Sequence, residues 1–275
     1  MKNTVSTFRG AKGVERLTML TAYDFTLARL VDEAGINAIL VGDSLGMVML
    51  GYDSTLPVTM EDMIHHCRAV CRGAKNALVV CDLPFMSFQN GVEEAVRNGG
   101  RLVKEGGAQA VKLEGGEEFC TEIAALVRAS IPVMGHLGLT PQSVNAFGGY
   151  KVQGKSLAAA QKLLDDARAV EKAGAFALVL ECVPPLIAKK ITESVSIPTI
   201  GIGAGAACDG QVLVLQDMLG LGERAPKFAR QFAEAGRAVR EAIACYAKEV
   251  VSGAFPSREH CYNLEAEAEL ADKLR

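Results

Sequence analysis

Four acidic residues in the sequence each come directly after a short apolar run. AILVG leads to Asp43, LVVC to Asp82, VKL to Glu114 and LVL to Glu181. The carboxyl ends of barrel strands form one rim, so acids at these places face the same mouth if the runs are strands. The alternative is that each acid caps the helix that follows it. Four acids placed alike favour a shared site.

Asp43, Asp82 and Glu114 follow neighbouring runs, and three carboxylates in one site repel each other unless a cation is present. Their ligand atoms are all oxygens, which favours a hard ion, with Mg²⁺ as the default. Ca²⁺ is disfavoured because no loop supplies the roughly six to eight oxygens that it prefers. Such a Mg²⁺ site suits a substrate that chelates the ion, as a 2-oxo acid does, with the metal acting as a Lewis acid.

Lys112 lies two residues before Glu114, so the two side chains point to the same side of an extended strand. A lysine that faces a barrel interior needs a partner. We expect it to bind a substrate carboxylate or the negative charge that develops on an enolate oxygen. A salt bridge to Glu114 is the alternative. A Schiff-base role would need a lowered pKa, which the acids around Lys112 oppose.

Glu181 follows the sixth run and is predicted to lie across the barrel from the proposed metal cluster. Its sequence neighbours Leu180, Val183 and Pro184 are apolar, and poor solvation suits a carboxylate that acts as a general base. Helix capping is the alternative here too. His136, at the end of the fifth run, is a second polar candidate, either as a hydrogen-bonding orienter or as a proton carrier.

Two further motifs leave alternatives open. GIGAG, residues 201–205, fits either a phosphate cradle or a tight turn after a strand. HHCRAVC, residues 65–71, is interpreted as an amphipathic helix rather than as part of a zinc site, because no second His/Cys cluster follows at the required spacing. The eight cysteines show no CxxC pair and are expected to be reduced thiols.

The acids can converge only if the chain between them forms the elements of a barrel. Short runs rich in Val, Ile and Leu alternate with stretches of helical spacing, and the runs are apolar on both faces, as parallel strands covered by helices are. This pattern predicts a (β/α)8 barrel. A doubly wound sheet is the alternative, weakened because the first turn, AYDFT, has no GxGxxG. The predicted strands are residues 17–22, 38–41, 77–81, 110–113, 132–135, 177–180, 198–202 and 212–215. The predicted helices are residues 25–34, 59–72, 91–105, 117–129, 156–173, 185–194 and 227–250.

Length and composition agree with a single globular domain. The chain has 275 residues, 49% of them hydrophobic and 5% aromatic, with a formal net charge of −3. This charge argues against a nucleic-acid partner, and no apolar stretch is long enough for a membrane span. The first residues lack the apolar region of a secretory signal, so we expect a cytoplasmic protein. We predict one barrel domain over residues 1–262, a functional loop without a helix at 137–154, and a C-terminal extension at 263–275.

Seven stretches of the sequence together resemble the ketopantoate hydroxymethyltransferase family of pantothenate biosynthesis. The resemblance spans residues 17 to about 262, and the block GHLGLTPQSVN is highly specific. The chain departs from the family at Cys261, where Ser is common, and the resemblance does not cover residues from Asn263 onward. The stretches are LTAYD (20–24), VGDSLGMVMLGYDSTLPVT (41–59), DLPFMSF (82–88), VKLEGG (111–116), GHLGLTPQSVNAFGGYKVQG (135–154), LVLECVP (178–184) and IPTIGIGAG (197–205).

The resemblance implies a (β/α)8 barrel of the phosphoenolpyruvate mutase/isocitrate lyase superfamily, assembled as a homo-oligomer and often as a homodecamer. It implies that Asp43 and Asp82 bind Mg²⁺ with Glu114 nearby, and that Glu181 accepts a proton. The residues implied to contact the substrate are Asp43, Ser44, Asp82 and Lys112. The implied reaction transfers the one-carbon unit of 5,10-methylenetetrahydrofolate to 3-methyl-2-oxobutanoate, giving 2-dehydropantoate.

Two other functions compete with this transfer. A Mg²⁺-dependent C–C lyase of the same superfamily would use related chemistry, but such enzymes place a reactive cysteine on a mobile lid. Cys208 follows a predicted strand-end loop and lacks the basic neighbours that would lower its pKa. A scaffold or binding module without activity would leave four inward acids and a lysine unexplained.

Overall fold

Eight parallel strands close into a barrel in the computed structural model, which describes residues 2–222, 225–262 and 267–274. Each strand pairs with its sequence neighbours, and β1 also pairs with β8. The predicted (β/α)8 barrel is therefore confirmed. The strands are β1 Leu17–Thr21, β2 Ala38–Val41, β3 Leu78–Asp82, β4 Ala110–Glu114, β5 Val133–Gly138, β6 Ala177–Glu181, β7 Thr199–Ile202 and β8 Gly210–Leu213.

Most connections between strands carry a helix that packs on the outside of the barrel. The helix between β4 and β5 is preceded by a short 3₁₀ turn, and the one between β3 and β4 ends in a π-helical turn at Leu102–Gly106. The α-helices in the described ranges are α1 Val5–Gly10, α2 Phe25–Glu33, α3 Leu45–Val48, α4 Met60–Gly73, α5 Val92–Arg101, α6 Cys120–Arg128, α7 Val144–Phe147, α8 Leu157–Lys172, α9 Pro185–Ser194, α10 Leu215–Leu219, α11 Ala235–Ser252 and α12 Glu267–Lys273.

The loop predicted to have no helix, residues 137–154, differs from that prediction. Strand β5 continues to Gly138, and the loop then forms a 3₁₀ turn at Pro141–Ser143 followed by α7. Segments of three or four residues are too short to show helical periodicity, so the apolar pattern could not reveal them. The prediction of an irregular loop was wrong in this respect.

Side chains alternate between the inside and the outside of the barrel along each strand, as the pleat requires. Met19, Leu40, Val80 and Met134 belong to the inner cluster, together with other small and branched residues. The residues between them in sequence, such as Val79, pack against the helices in a larger outer cluster. On β3, β4, β5 and β6 the inward series continues into polar residues near the carboxyl end, which places those polar groups in one mouth.

Helix α1 closes the amino-terminal end of the barrel. Phe8 on this helix is 1% exposed and belongs to the inner cluster. Its ring meets that of Phe176 edge to face, with 6.0 Å between the centroids. Nearby, Lys12 Nζ donates to Asp209 Oδ2 at 2.8 Å and to the carbonyl of Thr192 at 2.7 Å. This end of the barrel is therefore sealed by packing and by a partly buried ion pair.

We expect Phe8→Ala to destabilise the fold by about 3–5 kcal/mol, because it leaves a cavity at the sealed end of the barrel. Urea unfolding followed by circular dichroism measures this loss. The matched control is Val14→Ala, since Val14 is 81% exposed and should change the free energy of unfolding by no more than about 0.5 kcal/mol. Equal stability of the two variants would show that α1 does not seal the barrel.

None of the helices in the described ranges combines the length and the apolar content needed to cross a lipid bilayer.

Candidate active site

A cavity of about 720 Å³ opens at the carboxyl end of the barrel. Asp82, Glu114 and Glu181 are the last residues of β3, β4 and β6, and the predicted residues after β2 lie beside them. The structure therefore brings the predicted residues together in one mouth, while their chemical roles stay predictions. The predicted site residues that line the cavity are Asp43, Ser44, Asp82, Lys112, Glu114 and Glu181.

Helix capping does not account for these acids. None of the four acids is the N-cap residue of the helical segment that follows it or caps that segment through its side chain, so the capping alternative was wrong for all four. The N-cap residues of those segments are Ser44, Gly91, Gly116 and Pro184. The four acids instead contact other residues that lie in the mouth of the barrel.

Asp43 and Asp82 form a buried pair of carboxylates. Asp82 Oδ2 accepts a hydrogen bond from the backbone N–H of Asp43 at 3.1 Å, and both residues are 3% exposed. Burial, followed by repulsion from Glu114 and Asp82, holds the pKa of Asp43 well above its usual range. Burial also raises the pKa of Asp82, although Lys112 opposes that shift. The protein therefore supplies too little positive charge to stabilise both carboxylates in their ionised forms.

Lys112 pairs with Asp82, not with Glu114 as the sequence alternative had it. Its Nζ lies 3.1 Å from Asp82 Oδ1 and 3.2 Å from His136 Nδ1. Burial lowers the pKa of Lys112, but the charges of Asp82, Glu114 and Asp43 exceed that effect and raise it. The acids around Lys112 therefore favour its charged form, which agrees with the prediction that it is unsuited to a Schiff base.

Glu181 is linked to the other acids through His136. Glu181 Oε2 lies 3.3 Å from His136 Nε2, and the other ring nitrogen, Nδ1, lies 3.5 Å from Glu114 Oε1. The predicted apolar frame was wrong, because Leu180 and Val183 face the outer cluster while Glu181 faces inward. Glu181 is also not isolated across the barrel, because β5 supplies a bridging imidazole between it and Glu114.

His136 can either orient Glu181 or carry its proton. Burial and the charge of Lys112 lower the pKa of His136, but contacts with Glu114 and Glu181 outweigh them and raise it to about 9. Nδ1 can accept from Lys112 when the ring is neutral, or donate to Glu114 when it is protonated. Nε2 faces Glu181 in both states, so both sequence interpretations of His136 stay open.

Two residues that the sequence reasoning did not select support the site. Gln142 is 5% exposed and donates from Nε2 to Asp43 Oδ2 at 2.8 Å. Tyr23 is fully buried, and its hydroxyl lies 2.8 Å from Ser44 Oγ. Both occur inside the motifs that carry the family resemblance, and no spacing rule distinguishes them from ordinary loop residues. Only the fold brings them to the site.

The oxygen donors of the site fit Mg²⁺. No three or more His, Cys, Asp or Glu side chains within residues 2–222, 225–262 and 267–274 lie close enough together to hold a metal ion. Mg²⁺, however, needs only one or two protein carboxylates beside water and substrate oxygens. Asp43 and Asp82 meet this need, because both carboxylates are buried and line the cavity. Glu114 as a third ligand stays a prediction.

The remaining sequence motifs are structural in the fold. Gly203 and Gly205 have positive φ angles of 63° and 83°, and a Cβ on Gly205 would lie 2.7 Å from Pro185, which agrees with a tight turn. HHCRAVC forms part of α4, whose Cys67 is buried, so the amphipathic helix is confirmed. All eight cysteines are free thiols. Cys208 is buried and does not line the cavity.

Comparisons with known proteins agree on one family. The family model for ketopantoate hydroxymethyltransferase matches residues 2–258. A 3-methyl-2-oxobutanoate hydroxymethyltransferase from Clostridium novyi (strain NT) is 62% identical over 276 residues, covering 100% of this chain and 100% of that protein. The protein of the same name from Enterococcus faecalis (strain ATCC 700802 / V583) is 62% identical over 266 residues, covering 96% of this chain and 97% of its own.

The fold is shared more widely. The crystal structure of 2,3-dimethylmalate lyase, a PEP mutase/isocitrate lyase superfamily member, aligns with a TM-score of 0.58 at 16% identity over 99% of both chains. At this identity the likeness concerns the barrel alone. The match to the Clostridium novyi protein also covers residues 263–275, which the sequence resemblance had left outside.

Proposed function

The chain belongs to the ketopantoate hydroxymethyltransferase family, and we propose that it transfers a one-carbon unit from 5,10-methylenetetrahydrofolate to 3-methyl-2-oxobutanoate, giving 2-dehydropantoate, with Mg²⁺ bound at its site. The observation that carries the proposal is the buried group formed by Asp43, Asp82 and Lys112, with Glu181 held beside it by His136. This group places two metal-binding carboxylates, a fixed cation and a candidate base in one mouth.

Asp43 and Asp82 would hold the metal through their carboxylate oxygens. When bound, Mg²⁺ supplies Lewis acidity that stabilises the negative charge developing on a chelated 2-oxo acid. Lys112 adds a positive charge on the same side, since its ammonium is buried and paired with Asp82. These residues therefore orient the 2-oxo acid and lower the cost of removing a proton from its C3 atom.

Glu181 is the candidate base. It accepts the C3 proton, and the electron pair left on C3 forms the new bond to the one-carbon unit. Both bonds from that carbon to the folate nitrogens break in the overall transfer, tetrahydrofolate leaves, and water supplies the hydroxyl oxygen of the product. His136 lies 3.3 Å from Glu181 and can hold its carboxylate in place or take the proton onward.

The size of the cavity supports a second, larger substrate. Its volume of about 720 Å³ lies in the range of roughly 300–1,000 Å³ that is typical of sites for drug-sized ligands, and a 2-oxo acid fills a small part of it. Tyr150, Val152 and Met47 line the outer part, where a flat aromatic ring could pack. We therefore place the folate donor above the acid cluster, against the loop of residues 137–154.

Proton exchange tests the proposal. The protein is incubated with Mg²⁺ and 3-methyl-2-oxobutanoate in D₂O, and we expect loss of the C3 proton signal by NMR without added folate. Adding 5,10-methylenetetrahydrofolate should then yield 2-dehydropantoate. A boiled sample and a sample with chelator are the controls. Absence of exchange in the active sample would reject the proposed base chemistry, and exchange without product would reject the proposed donor.

The lyase alternative loses its chemical support in the structure. Cys208 is buried, and the next residue, Asp209, bonds to Thr199 at the start of β7, so this cysteine lies near the amino-terminal end of the barrel. Burial raises the pKa of the Cys208 thiol, which lowers its reactivity. A C–C lyase would instead cleave a longer 2-oxo or hydroxy acid, so incubation of such an acid with the protein and Mg²⁺ without folate, followed by NMR, tests this alternative.

We also propose that the protein is cytoplasmic and that it assembles as a homo-oligomer. Resemblance to the family favours a homodecamer. Helix α11 supports assembly, because Val239, Ile243, Tyr246 and Val250 follow helical spacing on one face and are 45–61% exposed. Such a stripe favours burial against another copy of the chain.

A further inference from the structure

Gln142 bonds to two of the site carboxylates at once. Its backbone N–H donates to Glu114 Oε2 at 3.0 Å, and its side-chain Nε2 donates to Asp43 Oδ2 at 2.8 Å. Gln142 lies in the 3₁₀ turn after β5, so these bonds reach past β4 and β3 to the end of β2. One loop residue therefore sets the positions of two acids that different strands carry.

The orientation of the Gln142 amide is fixed by its other partners. Nε2 also donates to the carbonyl of Leu83 at 2.9 Å, and Oε1 accepts from Gln89 Nε2 at 3.0 Å. A flipped amide would place its oxygen against the Asp43 carboxylate and the Leu83 carbonyl, which are both acceptors. Both amide hydrogens and the amide oxygen are thus used, and the side chain is held rigidly.

The side chain of Gln142 carries no charge, and this matters for a site that binds a cation. An arginine or lysine at this place would hold Asp43 by cancelling its charge, and a cation would then gain little from binding there. Gln142 holds the carboxylate through hydrogen bonds and leaves that charge in place. The Lys112 ammonium lies on the Asp82 side, 3.1 Å from Asp82 Oδ1, so Asp43 keeps its capacity to bind a metal.

We propose that Gln142 is a positioning residue that holds Asp43 and Glu114 where a divalent cation and its chelating 2-oxo acid require them. The inference rests on the proposed function, because it assumes a cation at Asp43. Gln142 would act through these two carboxylates and would not need to touch the substrate. Groups that orient metal ligands in this way commonly contribute about 10–100-fold to metal affinity or activity.

The test is Gln142→Met, which is similar in size and keeps the backbone N–H that bonds to Glu114. We expect the affinity for Mg²⁺, measured by calorimetric titration of the substrate-free protein, to fall about 10–100-fold. Raising Mg²⁺ should then restore most of kcat, which a damaged fold would not allow. The matched control is Gln161→Met on α8, because Gln161 is exposed, lies outside the cavity lining and donates from Nε2 to Asp165 Oδ1 at 3.0 Å.

A second variant keeps the test decisive if Gln142→Met does not fold, as judged by thermal unfolding. Gln89→Leu leaves Gln142 in place but removes the donor that fixes its amide oxygen. We expect a smaller loss of Mg²⁺ affinity in the same direction. Folded variants of Gln142 or, failing those, of Gln89 that bind Mg²⁺ like the unaltered protein would overturn the inference. If the unaltered protein itself binds no Mg²⁺, the proposed metal site fails and the inference fails with it.

Discussion

We expect Glu181→Gln to lower kcat by about 10²–10⁴-fold while leaving Mg²⁺ binding nearly unchanged. The amide keeps the size of the side chain and can still accept a hydrogen bond from His136, 3.3 Å away, but it cannot take a proton at neutral pH. The rate of C3 proton exchange in D₂O is the direct measurement, because it reports the base step without the folate. The loss should appear equally in exchange and in product formation.

The matched control for this variant is Glu193→Gln on α9. Glu193 is 63% exposed and makes a distant pair with Lys189, 3.8 Å away, so its loss should leave kcat and stability unchanged. If folded Glu181→Gln exchanges the C3 proton like the unaltered protein, Glu181 is not the base. The role would then pass to His136, the next polar group on the rim.

The second large effect is expected for Asp82. Asp82→Asn keeps an oxygen that can accept from the Asp43 N–H, but it removes the charge from a proposed metal ligand. Loss of several kcal/mol of charge stabilisation corresponds to a fall in activity of about 10²-fold or more. Calorimetric titration should show weakened Mg²⁺ binding as well. Asp82→Ala should in addition destabilise the fold by about 3–5 kcal/mol, because it leaves the Lys112 charge buried without its partner.

Asp165→Asn is the control for the loss of one negative charge. Asp165 lies exposed on α8, far from the acids of the mouth in sequence, and accepts a hydrogen bond from Gln161. The Mg²⁺ affinity and the turnover of the Asp165→Asn variant should match those of the unaltered protein. If Asp82→Asn kept full Mg²⁺-dependent turnover, Asp82 would not be a metal ligand.

Much of the barrel could be predicted because parallel strands buried on both faces give continuous apolar runs. The run AILV matches β2 at both ends, and the acids Asp82 and Glu114 end their strands as expected. Where the prediction failed, the local pattern carried no signal. β8 begins at Gly210, two residues before the apolar run. Glycine is required there, because a Cβ would lie 2.5 Å from the carbonyl of Leu17, and a glycine adds nothing to an apolar pattern.

The candidate site was predictable to the level of charged groups on strand ends, and less so beyond them. Strand parity places Lys112 and Glu114 on one face, but the partner of Lys112 depends on the register between β3 and β4, which pairs it with Asp82. Gln142 reaches Asp43 across 99 positions of the chain through a turn that no periodicity reveals. Contacts of this kind come from tertiary geometry, so sequence patterns could not supply them.

The seal that α1 makes under the barrel bears on how this protein can be altered. Phe8 and its neighbours pack at the ends where the strands begin, whereas the acids lie where the strands finish. Stabilising changes often reduce activity when they stiffen or relieve strain at a catalytic site. In this barrel, the packing that adds stability and the acids of the candidate site lie at opposite ends of the same strands. Engineering for heat tolerance can therefore begin around α1 and the Lys12–Asp209 pair, where gains in stability need not be traded against turnover.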